Sequence, residues 1–536
     1  NKINYWFKER MGCMKLDFDV YQKRFLELTK EGKFSRLGRN FKTSSHKYFY
    51  DTGTGKVFQI SEALNDVLTK FIQTNSFDSI FELSLSEDEL LASLKDLFNT
   101  VDEEHILQAE PVRELYGPQV YGLEEELSTQ RTQLTLELTE KCNMRCKYCI
   151  YHEGKGGYRE FGKNDMTFEV AKLAIDQFLT SSQKEQLYIS FYGGEPLICF
   201  DMIKQCTEYC LKAYPDQNVC FTMTTNATLI TEEIASYLAS LPHTIITVSL
   251  DGPKDIHDSN RVFQNGIGSF EQTMKGLKYL VDAFGNRVTD CILFNSVITD
   301  YSQKALGEIQ HFFDTCEWIP KNLVHTSSYV DTPDEEVEYQ GVDGPRENLI
   351  RERIEQDELR YNPIESWGVK KFMDGNYDEA EIESLVKEGF IKDLLSIHLR
   401  YRSDKPGKIY GMNGCCVPGA KKIYVTTKGE YLICEKMGPS PHIGNVYDSI
   451  DIEKIKKYYV EHFRNGAVKY CKNCWAVNLC NICYTECFDE DDVNFSKRHR
   501  RCESHRITKE NMLALYHEIL ENAPEKLEFL NDYKLT

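Results

Sequence analysis

The chain has 536 residues, a formal net charge of −20 and 19 cysteines. Its length implies roughly three or four domains, with a core large enough to need no disulfide staples. The acidic balance argues against a nucleic-acid partner, no apolar run approaches the length of a membrane span, and no secretory segment opens the sequence, so clustered cysteines read as metal ligands in a reducing cytoplasm.

Residues 1–12 begin without Met and connect to nothing obvious. They are expected to be a remnant or a separately bound segment and are set aside. Asp17 to Lys30 carries Phe18, Tyr21, Phe25 and Leu28 at helical spacing. Two aromatic and β-branched runs, His46–Asp51 and Lys56–Ile60, flank Thr52-Gly53-Thr54-Gly55, which is a hairpin signal. A helix follows with Leu64, Val67, Leu68 and Ile72 on one face. Ser86 and Glu89 make a capping box before an apolar helix from Leu90 to Phe98. Hairpin plus helices in this span predicts a small winged-helix-like domain over residues 13–105. Residues 106–131, with Glu124-Glu125-Glu126, read as a solvated linker.

From Leu134 strands and helices alternate. Predicted strands are Leu134–Thr139, Leu187–Tyr192, Val219–Thr225, Thr244–Leu250, Asp290–Ile298 and Asn322–Val330. Helical patterns lie between them, at Phe168–Leu179, Met202–Ala213, Thr231–Leu241, Phe270–Ala283 and Gln303–Phe313. Such alternation means an α/β fold with a parallel sheet, and its chemistry gathers at the carboxyl ends of the strands.

The first strand runs into Cys142, Cys146 and Cys149, spaced C-x3-C-x2-C. Iron–sulfur clusters are normally held by four Cys thiolates, so three leave one iron open to a substrate or cofactor. A zinc site or three unrelated core thiols are the plain alternatives. Zinc knuckles use paired C-x2-C arms, however, and the third Cys here stands at another offset. After the second strand come Gly193, Gly194, Glu195 and Pro196, where glycines permit close backbone approach; an ordinary tight turn would look the same. Thr224 to Leu229 follows the third strand. Ser249, Asp251 and Arg261 follow the fourth, and an Arg fork suits a carboxylate. Asp251 reads as a ribose contact, an electrostatic partner or a turn residue. His257 reads as a surface or capping residue.

The cysteine loop, with Tyr148 just before its last Cys, resembles the signature of the radical S-adenosylmethionine enzymes. The resemblance implies a partial (β/α)6 barrel over residues 132–334, a [4Fe–4S] cluster on Cys142, Cys146 and Cys149, and S-adenosylmethionine on the open iron. It further implies cofactor contacts from Tyr148, Gly193, Gly194, Glu195, Asn226, Ser249, Arg261 and Val297, with Asp251 among the catalytic residues. Ala227 departs from the family, which has Gly there.

Residues 335–410 are charged and free of Cys, with a helical stretch at Glu381–Glu388; they read as an acidic bridge. Beyond them stand Cys415, Cys416, Cys434, Cys471, Cys474, Cys480, Cys483, Cys487 and Cys502, with a hairpin pattern at Lys422–Val425 and Tyr431–Ile433. A pair of zinc sites would use the same thiols. Residues 411–505 resemble the SPASM domain of peptide-modifying radical enzymes, and 506–536 are expected to hold a terminal helix. The resemblance implies two auxiliary [4Fe–4S] clusters. One would take Cys416, Cys434 and either Cys483 or Cys487, with Cys415 the rival of Cys416. The other would take Cys471, Cys474, Cys480 and Cys502. Cys13, Cys199, Cys206, Cys210, Cys220, Cys291 and Cys316 read as core thiols.

The N-terminal module likewise resembles the leader-peptide recognition domains of peptide maturases, in which a leader adds a strand to the hairpin edge; a domain that binds nothing would share the pattern. The implied protein is a thioether-forming maturase of the ranthipeptide kind. Its partners would be a precursor peptide and an external electron donor, with no nucleic acid and no membrane. A C–C or C–O crosslinking maturase, a sulfatase-activating enzyme and a zinc-stabilised peptide-binding protein remain open.

Overall fold

The computed structural model describes residues 18–29, 37–151, 160–300, 303–320, 323–329, 341–342, 344–356, 372–375 and 389–533. Residues 1–12, Cys13 and the expected helix at Glu381–Glu388 lie outside them. Among the described residues no helix is long and apolar enough to cross a membrane.

Among the described residues the N-terminal module holds a helix over 18–29, as its spacing predicts, three antiparallel strands, β1 (Gly38–Lys42), β2 (Lys47–Asp51) and β3 (Val57–Ile60), and two further α-helices, α1 (Glu62–Thr74) and α2 (Glu87–Glu104). Strand β1 is polar enough to have escaped the sequence reading; only Gly38 and Phe41 along it are buried. The helices start where their caps predict. Ser61 Oγ accepts from Leu64 N at 3.1 Å, and Ser86 and Glu89 form the reciprocal capping box. Phe25, Phe49, Leu68, Phe71, Leu94 and Val101 fill the core.

Residues 106–131 do not form a solvated linker. Ile106, Leu107, Val112, Leu115, Leu123 and Leu127 are buried, and short helices span Pro118–Tyr121 and Leu123–Thr129. The acidic run occupies the outer face of the second helix while its leucines point inward.

Six parallel strands then lie side by side in one sheet: β4 (Gln133–Thr139), β5 (Leu187–Gly193), β6 (Val219–Thr225), β7 (Thr244–Ser249), β8 (Ile292–Ile298) and β9 (Val324–Tyr329). Crossover helices are α3 (Phe168–Ser181), α4 (Phe200–Ala213), α5 (Glu232–Ser240), α6 (Phe270–Phe284) and α7 (Gln303–Thr315). Thr167 and Thr231 cap α3 and α5, as β-turn-prone hydroxyls do. The fifth predicted strand begins two residues late, because Val288–Cys291 closes a helical turn first.

The C-terminal region is welded to this sheet. Strand β10 (Lys422–Val425) pairs in parallel with β4, and β11 (Glu430–Leu432) pairs antiparallel with β10. The result is one ten-stranded sheet, with the cysteine-rich segment continuing the six parallel strands. The acidic bridge is also partly core. Gly389–His398 is helical, with Ile391, Leu394 and Ile397 buried against the terminal helix α8 (Cys502–Asn522). The N-terminal sheet rests on the same helix: Arg39 Nε lies 2.7 Å from Glu510 Oε2, and Tyr48 Oη donates to Glu521 at 2.6 Å.

One glycine on α6 sets how close that helix comes to the loop after β6. A Cβ on Gly276 would lie 2.0 Å from the Ala227 carbonyl oxygen, and backbone cannot yield there cheaply. Gly276→Ala is expected to cost about 1–3 kcal/mol, the range for overpacking a core. Denaturant unfolding of the variant checks it; an unchanged midpoint would mean the loop is free to move.

Candidate active site

Strand β4 ends at Thr139 and delivers the thiol loop. Cys142, Cys146 and Cys149 are half-buried there. The loop is pinned by the segment after β7. Arg145 N donates to Val262 O at 2.7 Å and Lys147 N to Asn260 O at 3.0 Å. Gln264 Nε2 donates to Cys142 O at 2.8 Å, and Met144, buried, bridges Phe263. Burial pushes the thiol of Cys142 up to about 12 and that of Cys146 up to about 11. Such thiols are not free nucleophiles; they become thiolates when a metal supplies the charge. Among the described residues no group of three or more His, Cys, Asp or Glu is gathered closely enough to hold a single metal ion.

Asp251, just past the end of β7, is fully buried. Tyr148 Oη donates to its Oδ2 at 2.6 Å, and Val297 N donates to its Oδ1 at 2.9 Å. Arg261 Nε lies 3.0 Å from Oδ2, off the line of its N–H bond. That contact is therefore ionic, and the buried N–H finds no acceptor among the described residues. Arg261 also lies over the Tyr148 ring at 5.3 Å. Of the three readings of Asp251, the structure supplies the electrostatic partner. The orphaned guanidinium N–H fits a carboxylate arriving from outside the chain.

His257 is not at the surface. It is fully buried, receives the Asp251 amide at 3.4 Å and meets Ser269 Oγ at 3.0 Å. A buried neutral imidazole that ties two loops together was not legible from a place in the last turn of a short polar helix, Lys254–Asn260. Ser249 ends β7, and its hydroxyl has no hydrogen bond among the described residues.

The two glycines where β5 ends, Gly193 within it and Gly194 just past it, serve the chain itself. Gly193 has φ +138°, and a Cβ there would meet Thr139 O at 2.2 Å; one on Gly194 would meet Lys141 O at 2.1 Å. They let the end of β5 lie against the thiol loop. Glu195 is buried and braced, accepting from Leu197 N at 3.1 Å, Thr225 Oγ1 at 2.8 Å and Asn226 N at 2.8 Å. Desolvation raises its pKa to about 7. Asn226 Nδ2 donates to Asn143 Oδ1 at 3.0 Å, and Asn143 Nδ2 to Thr228 Oγ1 at 2.8 Å. Asn143, inside the thiol loop, is therefore a site residue that sequence reasoning missed. Ala227 takes φ +60° and is fully buried. It keeps the left-handed turn that Gly would adopt without strain.

The C-terminal thiols divide into two neighbourhoods. Cys471, Cys474, Cys480 and Cys502 line one cavity together with Cys415 and Arg498. Cys416 is exposed and, with Cys434, neighbours Cys483. Cys487 is fully buried and donates to Cys483 O at 3.1 Å. Of the expected core thiols, Cys206, Cys210, Cys220 and Cys291 are buried; Cys199 and Cys316 are half-buried.

Desolvation, then the Arg261 cation, hold His257 down at about 4. The unfolded chain takes up a proton at about 6.5 and the folded chain only near 4, so stability is full above pH 6.5 and falls as pH drops through that window. Unfolding midpoints measured from pH 7 to pH 4 should therefore decline, and His257→Gln should flatten the decline by about 1–3 kcal/mol. Parallel wild-type and variant profiles would assign the acid sensitivity elsewhere.

Residues 136–301 match the family model of the Radical SAM superfamily. The serine-type anaerobic sulfatase-maturating enzyme of Bacteroides thetaiotaomicron is 25% identical over 352 residues, covering 63% of this chain and 79% of that protein. An uncharacterized protein of Methanocaldococcus jannaschii is 38% identical over 147 residues, 27% of this chain; the match spans 48% of its length. The solved structure of native anSMEcpe with bound AdoMet aligns with 75% of this chain and all of its own, at 20% identity and a TM-score of 0.48.

Proposed function

We propose that this chain, which carries a Radical SAM superfamily domain over residues 136–301, is a maturase that joins a cysteine sulfur to a carbon of a ribosomally made peptide. A radical SAM enzyme works with a [4Fe–4S] cluster and S-adenosylmethionine. Here Cys142, Cys146 and Cys149 would hold the cluster, and the unanswered N–H of Arg261 would receive the methionyl carboxylate beside Ser249. When bound, these groups would supply abstraction of one hydrogen atom from the peptide and an acceptor for the one electron that C–S bond formation leaves over.

The chain's own residues do the positioning. Asp251 keeps Tyr148, Arg261 and the β8 backbone in one arrangement. Glu195 braces the turn after β5 against the turn after β6. The thiols on Cys416, Cys434 and Cys483, and those on Cys471, Cys474, Cys480 and Cys502, are the sets that would hold the two auxiliary clusters. Cys415 and Cys487 are left as neighbours of those sets.

One observation carries the peptide substrate. Among the described residues β3 pairs only with β2, so the N-terminal sheet offers an edge, while its other side rests on α8. A peptide strand can add to such an edge through main-chain hydrogen bonds. Asp51 N donates to Lys56 O at 3.0 Å, so alternation turns the amides of Phe58 and Ile60 toward β2 and those of Val57 and Gln59 outward. A second reading, oxidation of one residue in a folded sulfatase, is favoured by the match over 63% of this chain to the Bacteroides enzyme.

The experiment uses anaerobically reconstituted protein and a precursor peptide encoded beside its gene. The thioether reading expects a product lighter by two hydrogens with one thiol blocked to alkylation. Gln59→Pro, which removes an outward N–H and leaves the β2 ladder intact, should weaken leader binding about tenfold or more, some 1.4 kcal/mol. The triple variant Cys142→Ala, Cys146→Ala, Cys149→Ala should cleave no S-adenosylmethionine yet keep its C-terminal iron. A peptide of unchanged mass, with a sulfatase oxidised instead, would replace the first reading by the second.

A further inference from the structure

The cavity bounded by Cys471, Cys474, Cys480 and Cys502 has a guanidinium in its wall. Arg498 is 4% exposed. Its Nη1 lies 3.9 Å from Cys471 Sγ and 3.2 Å from His499 Nδ1, and its Cζ stands 5.2 Å from the Phe463 ring centre. Its Nε meets no acceptor, and no carboxylate pairs with it among the described residues. The second guanidinium of the cavity differs: Arg506 Nε donates to Glu347 Oε2 at 2.9 Å, and Glu347 is fully buried beside it.

An isolated charge in a protein interior is costly unless it is paired. Four protonated thiols give Arg498 no counter-charge. A [4Fe–4S]2+ cluster on four thiolates carries a formal charge of about −2, becoming about −3 when it accepts one electron. A fixed neighbouring cation favours the more negative state, because the attraction scales with the charge it faces. Hydrogen bonds to the sulfurs act in the same direction, and Arg498 Nη1 donates toward Cys471 Sγ at 3.9 Å.

We propose that Arg498 is a positioning residue for this thiol centre: its buried, carboxylate-free guanidinium raises the reduction potential of the cluster held by Cys471, Cys474, Cys480 and Cys502, making that centre the electron acceptor of the pair. The inference rests on the auxiliary-cluster reading above and adds which of the two clusters takes the electron and what makes it do so. The step is a one-electron reduction of the cluster, with no bond made or broken and no proton required by the charge argument. In the titration below the electron comes from dithionite.

The test is an EPR-monitored redox titration of the full chain, made in the Cys142→Ala, Cys146→Ala, Cys149→Ala background so that only the C-terminal centres report. Iron and sulfide are counted first, and two auxiliary clusters require about eight irons in that background. Arg498→Met, of similar length and without charge, should move one midpoint to more negative potential, reducing the reduction equilibrium constant about tenfold or more, which is ~59 mV for one electron. Arg498→Lys keeps the charge and should stay within about threefold of the parent. Full iron with every midpoint of Arg498→Met unmoved overturns the inference and leaves the maturase reading standing. If Arg498→Met does not load, Arg498→Lys decides: a retained midpoint supports the charge argument, and a tenfold fall with full iron overturns it. A chain without C-terminal iron overturns the auxiliary-cluster reading itself.

Discussion

The buried carboxylate of Asp251 is the constraint on which the candidate active site depends. It answers a phenol from the thiol loop, a guanidinium from the segment after β7 and a backbone amide from β8. Strands β7 and β8 are neighbours in the sheet, while two strands separate β4 from β7, so the carboxylate, with the main-chain bonds from Arg145 and Lys147, ties together loops that the ladder alone keeps apart. Removing the charge would leave Arg261 alone in the interior, and breaking a buried pair from one side costs about 3–5 kcal/mol. The same carboxylate also sets chemistry. It compensates only part of Arg261, because the ion pair lies off the N–H direction and leaves that donor open to a ligand.

Much of this was legible from spacing. The C-x3-C-x2-C loop, the glycines where β5 ends and the segments ending in Asn226 and Asp251 each sit at the end of a strand whose alternation announced it. Local patterns marked these positions because strand, turn and loop are local. What escaped was pairwise and distant. Glu195 looks like an available charge in a Gly-Gly-Glu-Pro turn, yet its oxygens are taken by residues some thirty positions away. His257 sits in the last turn of a short helix, Lys254–Asn260, whose polar sequence suggests exposure, and is sealed in by the start of α6 and by Asp251. Neither fact has a sequence period to announce it. For Arg498 there was a signal: Lys497, Arg498, Arg500 and Arg501 form a basic run in a chain of net charge −20, beside Cys502.

The domain boundaries drawn from composition separated what the hydrogen-bond ladder joins. The cysteine-rich segment reads as a separate module because its thiols are distinctive, but β10 enters the parallel sheet in register with β4, Lys422 opposite Gln133 and Val425 opposite Leu136. Strand β4 therefore carries the thiol loop at its end and the C-terminal hairpin along its edge. Cys434 follows β11 directly, and Lys422 pairs with Glu435 at 3.0 Å. Two thiol neighbourhoods that could have moved relative to one another are placed on one rigid element.

The N-terminal sheet is joined to the other neighbourhood. Thr52 Oγ1 donates to Trp475 O at 2.6 Å, Asn478 Nδ2 donates to Thr52 O at 2.7 Å, and Tyr50 meets the Trp475 ring edge-on at 6.2 Å. Trp475 is the residue after Cys474 and is buried. Deleting residues 13–105 would strip the cover from that thiol loop as well as remove the β3 edge. Loss of activity after such a deletion would then follow under either reading of the substrate, whether peptide or folded sulfatase. A change confined to the outward amides of β3 separates the two, because it leaves the contacts of β1, β2 and the Thr52 turn with Trp475 and α8 untouched.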